Sequence, residues 1–160
     1  MIKICNKTLF FALIFILADI YLLLMVNQKT ITSPFVDSLD VGKKSIYKNI
    51  VNERTMIYIK SVFIALFISL LYYFALPKNN FFKPKNMTKF SVASVSLIIF
   101  YFVTYLSYIL HAKSDYMVLH LDSETERIEW LKVYKTMQFQ YHLSFVFGFI
   151  GISILYYGIC

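Results

Sequence analysis

Four runs of apolar residues, each 18–22 long, fix what this chain can become: Leu9–Val26, Met56–Leu76, Phe90–Leu110 and Gln138–Ile159. At 1.5 Å per residue, a helix of that length covers roughly 27–33 Å, which matches the ~30 Å hydrocarbon core of a bilayer. Backbone amides in lipid must be satisfied within their own segment, so the runs read as helices; spanning β-strands would be about half as long. The reading is an all-α membrane protein, a single domain over 1–160 with transmembrane helices at about 9–26, 56–76, 90–110 and 138–159 in a four-helix bundle. Pro77 marks the end of the second run, and a loop with Pro84 separates it from the third.

Composition agrees. Hydrophobic residues make up 59% of the 160 and charged residues only 16%, and 19% are aromatic. A soluble fold of this size leaves roughly 30% of its unfolded surface wet and has nowhere to hide so much apolar area. Disordered, collagenous and disulfide-scaffold classes fail on the same figures. The first run, preceded by Lys3 and Lys7, is too long for the ~7–15-residue core of a secretory signal, lacks a small-residue cleavage site and contains Asp19, so an uncleaved helix is expected.

Orientation follows from basic density at the flanks. The tail (Lys3, Lys7) and second loop (Lys78, Lys83, Lys85, Lys89) are basic without any acid. The first loop, about 27–55, and the third, about 111–136, mix basic residues with acids and carry the larger raw number of cations. Density therefore places both termini in the cytoplasm and the two longer loops outside. The net charge of +7 does not imply nucleic acid, because it is spread over both membrane faces; lipid head groups account for the second loop.

Cys5 and Cys160 stand at opposite ends with no C-x-x-C pair, and read as free thiols at a reducing face. His111, His120 and His142 offer at most one axial pair for a haem between helices and no metal-type cluster, so no cofactor or metal is expected. The Asp122, Glu124 and Glu126 group lacks the glycine and closing carboxylate of a calcium loop.

Asp19 is the most informative single residue. A charged carboxylate near mid-helix costs ~2.5–3.5 kcal/mol even on the lenient insertion scale, so it must face the bundle or be neutral. Lys60, about one turn inside the second helix, is the natural partner, with Gln138 and His142 on helix four and Thr104 and Ser107 on helix three completing an intramembrane polar cluster. Such a cluster serves as a packing clamp, a contact for a membrane partner, or an ion or proton site. Ser144, Gly148 and Gly151 form a small-residue stripe for close helix packing, within the bundle or between two copies.

In the third loop, Ser123 with Glu126 is a capping-box pattern, and a short amphipathic helix is expected from about Glu124, running toward helix four, with Ile128, Leu131 and Tyr134 on one apolar side and Trp130 in the interface belt. In the first loop, Ser33-Pro34 and Val41-Gly42 are turn signals, and Ser45 is placed to cap a short helix. Two structured loops of this size are candidate partner-contact surfaces. No hydrolase, zinc-protease or phosphate-loop motif is present, so the chain reads as a non-enzyme that works by contact.

The plan resembles that of the four-span immunity proteins of pore-forming colicins. Ile31-Thr32-Ser33 soon after helix one, followed by Ile46-Tyr47-Lys48, resembles the first outer loop of that family over about 20 residues. The bias toward Ile, Lys, Asn, Phe and Tyr suits a plasmid, phage or low-GC bacterial origin, and the resemblance implies a bacterial inner-membrane protein. It would contact a toxin's pore-forming segment in the bilayer and block channel opening without catalysis. An accessory or scaffold subunit of a membrane complex, and a pore, holin-like or ion-conducting protein, are the alternatives.

Overall fold

A computed structural model describes residues 6–26, 29–75 and 89–157. Lys3, Lys78, Lys83 and Lys85, both cysteines, and the prolines at 77 and 84 lie outside the described residues. The described chain is helical, without a strand: α1 Asn6–Val26, α2 Lys29–Ser38, α3 Val41–Ala75, α4 Lys89–Leu110, a 3-10 turn Met117–His120, and α5 Glu124–Tyr157. Four of these helices, α1, α3, α4 and α5, are long and apolar enough to cross a membrane.

Two elements differ from the expected boundaries. Helix two begins not at Met56 but at Val41, so that α3 has 35 residues. Helix four begins at Glu124, so that α5 has 34 residues and the expected short amphipathic helix is simply its first turns. A 34-residue helix is about 51 Å long, which leaves roughly 20 Å standing beyond a ~30 Å apolar core. Hydropathy fades where the charges begin, but the backbone hydrogen bonding does not.

The start signals explain the new boundaries. Asp40 is the N-cap of α3: its Oδ1 accepts the Lys43 N–H at 2.7 Å and its carbonyl accepts the Lys44 N–H at 2.9 Å. The expected turn at Val41-Gly42 is therefore the first helical turn, and Ser45 lies inside the helix rather than capping one. At α5 the capping box forms as the sequence proposes, with the Glu126 N–H on Ser123 Oγ at 3.1 Å and the Ser123 N–H on Glu126 Oε2 at 3.2 Å. Pro34 sits within α2 instead of in a turn. One lost backbone bond is outweighed there by the burial of Phe35 and Leu39, one turn apart.

Along the spans α1 lies against α5, α5 against α4, and α4 against α3, whereas α1 and α3 do not pack along one another. Small residues set both tight seams. On α3 the buried positions are Ile57, Ser61, Ala65 and Ser69, spaced by four, which is the face α3 turns to α4. On α5 the Ser144, Gly148 and Gly151 stripe is buried, and a Cβ at Gly151 would meet Ile16 Cγ1 at 2.9 Å and the Ala12 carbonyl at 3.2 Å. That stripe is the seat of α1, not a surface left open for a second copy. Stacked rings join α4 to α5, with centroid separations of 3.8 Å for Tyr105–Phe145 and 5.5 Å for Tyr101–Phe145.

Candidate functional site

Two sites stand out, one within the spans and one on the helical extensions above them. In the first, Asp19 of α1 is 7% exposed. The Tyr101 hydroxyl of α4 donates to Asp19 Oδ1 at 2.8 Å, and the Ser144 hydroxyl of α5 donates to the same oxygen. One carboxylate thus ties three helices together. Gly148 makes the arrangement feasible: a Cβ there would overlap the hydroxyl end of Tyr101 and lie 2.8 Å from Asp19 Oδ2. Beside the lock is a cavity of about 70 Å³, lined among others by Leu23, Tyr58, Tyr101, Thr104, Tyr141 and Ser144.

The cluster expected around Asp19 does not assemble. Lys60 is exposed on α3, one position off the buried stripe, and α3 does not pack along α1. No cation pairs with Asp19 among the described residues. Thr104 is buried beside the cavity but spends its hydroxyl on the Phe100 carbonyl of its own helix at 2.8 Å. Ser107, one turn further, is half-buried and outside the lock. Gln138 and His142 are exposed and bonded elsewhere: Gln138 Nε2 to the Tyr134 hydroxyl at 2.6 Å, and His142 Nδ1 to the Tyr105 hydroxyl at 2.8 Å. The missed partner is Tyr101. Among 13 tyrosines nothing in its local sequence marks it, although a serine four residues before a glycine on the facing helix leaves a slot of ring-hydroxyl size.

The second site is a headpiece that the two long loops build together. Phe35 of α2 and Leu39 just beyond its end, Ile50 of α3, and Met117 and Leu121 around the 3-10 turn form a buried cluster. Trp130 packs on this cluster, 5.3 Å from Phe35 and 6.2 Å from Tyr47, ring centre to ring centre. Ile128 and Leu131 are exposed on α5, and Tyr134, one turn along from Trp130, is exposed as well, with its ring 6.0 Å from the indole.

Ion pairs clasp the headpiece. Lys43 Nζ lies 2.8 Å from Glu126 Oε1 and 2.9 Å from Asp122 Oδ2, joining the start of α3 to the start of α5. Two of the three acids singled out in the third loop, Asp122 and Glu126, thus hold a lysine of the first. Arg54 pairs with Glu53 at 2.7 Å, donates to the Asp115 carbonyl and lies over the Tyr116 ring. Glu53 Oε1 accepts the Ser114 N–H at 2.8 Å, and His120 Nε2 lies 2.8 Å from Asp115 Oδ2.

These contacts set the pH response. The Lys43 ammonium holds the Glu126 carboxyl below the usual range, His120 does the same for Asp115, and the Ser114 N–H for Glu53. A carboxyl depressed in the folded state adds stability above its unfolded pKa and loses it as pH falls through the folded value. Lys43, raised by Glu126 and Asp122, keeps its contribution up to the ordinary lysine range and loses it only as pH rises above that. The headpiece is therefore expected to hold from alkaline pH down to about 5 and to loosen below about 4. Emission of Trp130, the sole tryptophan, checks this in detergent micelles: a red shift confined to acid supports it, and a flat profile to pH 3 contradicts it.

Comparison of the chain with protein-family models, with curated proteins and with solved structures gives no match.

Proposed function

We propose that the chain is a multi-pass protein of the bacterial inner membrane, with both termini in the cytoplasm, that acts without catalysis as an immunity protein. It contacts the pore-forming segment of a bacteriocin within the bilayer and keeps that channel from opening. The observation that carries this reading is where the intramembrane polarity goes. Asp19 is engaged by Tyr101 and Ser144, with no other ionisable span residue bonded to it among the described residues, whereas a conducting protein needs ionisable groups along a continuous wet path. The outward faces of α1 and α3 instead present large apolar side chains, among them Phe10, Leu17, Phe63, Phe67 and Phe74. Such faces accept lipid by default and suit a hydrophobic partner helix.

The headpiece supports the same reading. Both segments of the colicin-immunity resemblance fall within it, Ile31-Thr32-Ser33 on α2 and Ile46-Tyr47-Lys48 on α3. A packed extramembrane element carrying exposed Ile128, Leu131 and Tyr134 offers side chains by which one toxin is told from another.

Membrane potential under toxin challenge tests the proposal. Cells expressing the protein are expected to hold their potential against one pore-forming bacteriocin of a panel and to lose it to the others. Replacing Ile128, Leu131 and Tyr134 by serine is expected to shift that selectivity without reducing the amount of protein in the membrane. Depolarisation on expression alone would overturn the proposal in favour of a pore.

A further inference from the structure

We propose that the segment Tyr116–Leu119 is a membrane foot, an uncharged knuckle that rests in the phospholipid head-group layer and fixes how deep the helices sit. The inference rests on the membrane-spanning reading and adds a second, monotopic contact to it.

Depth comes from the contacts of the neighbouring residues. The apolar part of α4 runs from Phe90 to Leu110, about 32 Å at 1.5 Å per residue, so Leu110 reaches the edge of a ~30 Å core. Four residues later the chain is pinned to α3 at the same level. The Ser114 N–H bonds Glu53, and Arg54 donates to the Asp115 carbonyl and covers the Tyr116 ring, just before the apolar run that begins at Met56. The knuckle therefore starts within about one helical turn of the hydrocarbon boundary.

Direction comes from burial. Met117 is 1% exposed and Leu121 2%, both turned into the headpiece core, which leaves Val118 and Leu119 on the outside of the 3-10 turn. Leu119 is 73% exposed and Leu110, at the helix end below, 78%; Tyr116 and Val118 are exposed as well. Single exposed apolar residues are ordinary, but here Tyr116, Val118 and Leu119 stand together in four residues without a charge, and an apolar cluster of that kind marks a membrane or protein contact. The contact of Asp115 with His120 closes the turn behind them, so the knuckle is presented on a braced loop. The far rim of the headpiece has the opposite character: Asp37, Asp40, Asp122 and Glu124 are all exposed there. An apolar, tyrosine-bearing edge toward the bilayer, with Arg54 over the Tyr116 ring, and a rim of charged groups away from it is the polarity expected of an interfacial element.

The test is site-directed labelling in phosphatidylcholine–phosphatidylglycerol vesicles, with Cys5 and Cys160 replaced by serine and an environment-sensitive fluorophore on Leu119→Cys. Val41→Cys, 86% exposed at the far end of α3, and Phe67→Cys, 65% exposed within its span, serve as references. The Leu119 probe is expected to emit to the blue of the Val41 probe and to lose emission to a lipid spin-labelled near the head group. A Leu119 probe as water-like and unquenched as Val41, beside a Phe67 probe quenched by a deep label, would overturn the foot alone. An unquenched Phe67 probe would overturn the membrane-spanning reading with it. A blue shift at Leu119 that vanishes on dilution of the protein, without lipid quenching, would assign the surface to a second copy and overturn the proposal.

Discussion

Gly148→Ala is expected to destabilise the spans by about 2–4 kcal/mol, the sum of an overpacked core position and one interhelical hydrogen bond. The added methyl would occupy the space of the Tyr101 hydroxyl and press on Asp19 Oδ2. The ring has little room to retreat, because it is stacked on Phe145 of the same helix that carries Gly148. Either Tyr101 leaves Asp19, stranding a buried carboxylate with only Ser144, or α4 moves off α5. Titration of the purified protein from mild detergent into SDS, followed by helix content, reads the loss. A double-mutant cycle with Tyr101→Phe separates the causes. If the methyl acts by expelling the hydroxyl, Gly148→Ala costs less in the Tyr101→Phe background, with a coupling of about 0.5–3 kcal/mol as for residues in contact. Strict additivity would mean that Gly148 serves only the close approach of the helices.

What the sequence makes legible is whatever rests on one segment at a time. Apolar length marks the four spans, and Ser123 with Glu126 marks the start of α5, because span length and capping are local properties. Asp19 is legible as a buried group from the cost of a carboxylate in lipid. Its partner is not, since that depends on which helices are neighbours. Charge complementarity favours Lys60, but α3 spends its one inward stripe on α4 and never lies along α1. The headpiece escaped for a related reason. Phe35 with Leu39, Ile46 with Ile50, and Trp130 with Val133 are spaced as apolar helix faces, yet each face is too short to read as a core alone. Only the pairing of the two loops, clasped by Lys43, makes them one. The general liking of tryptophan for membrane interfaces says nothing of the local core in which Trp130 meets Phe35, Tyr47 and Tyr134.

Met117→Ala is expected to open the headpiece while leaving the spans intact. The side chain is 1% exposed, lies between the two loops and is the first inward residue of the 3-10 turn. Truncating a buried methionine removes its transfer energy and leaves a cavity, a cost of about 2–5 kcal/mol. The headpiece has little in reserve against such a loss. Its apolar core is five buried residues, and its surface ion pairs are exposed enough to be screened. The prediction is therefore a local unfolding, read by hydrogen exchange: faster exchange across 29–55 and 111–135, with Asn6–Val26 and 90–110 unchanged. Trp130, released from Phe35 and Tyr47, is expected to shift its emission to the red. The variant also separates the two sites functionally. If specificity resides in the headpiece, Met117→Ala loses toxin discrimination while still inserting; if contact within the bilayer is sufficient, protection survives the unfolding. Uniform loss of exchange protection through all the helices would show instead that headpiece and spans fold as one cooperative unit.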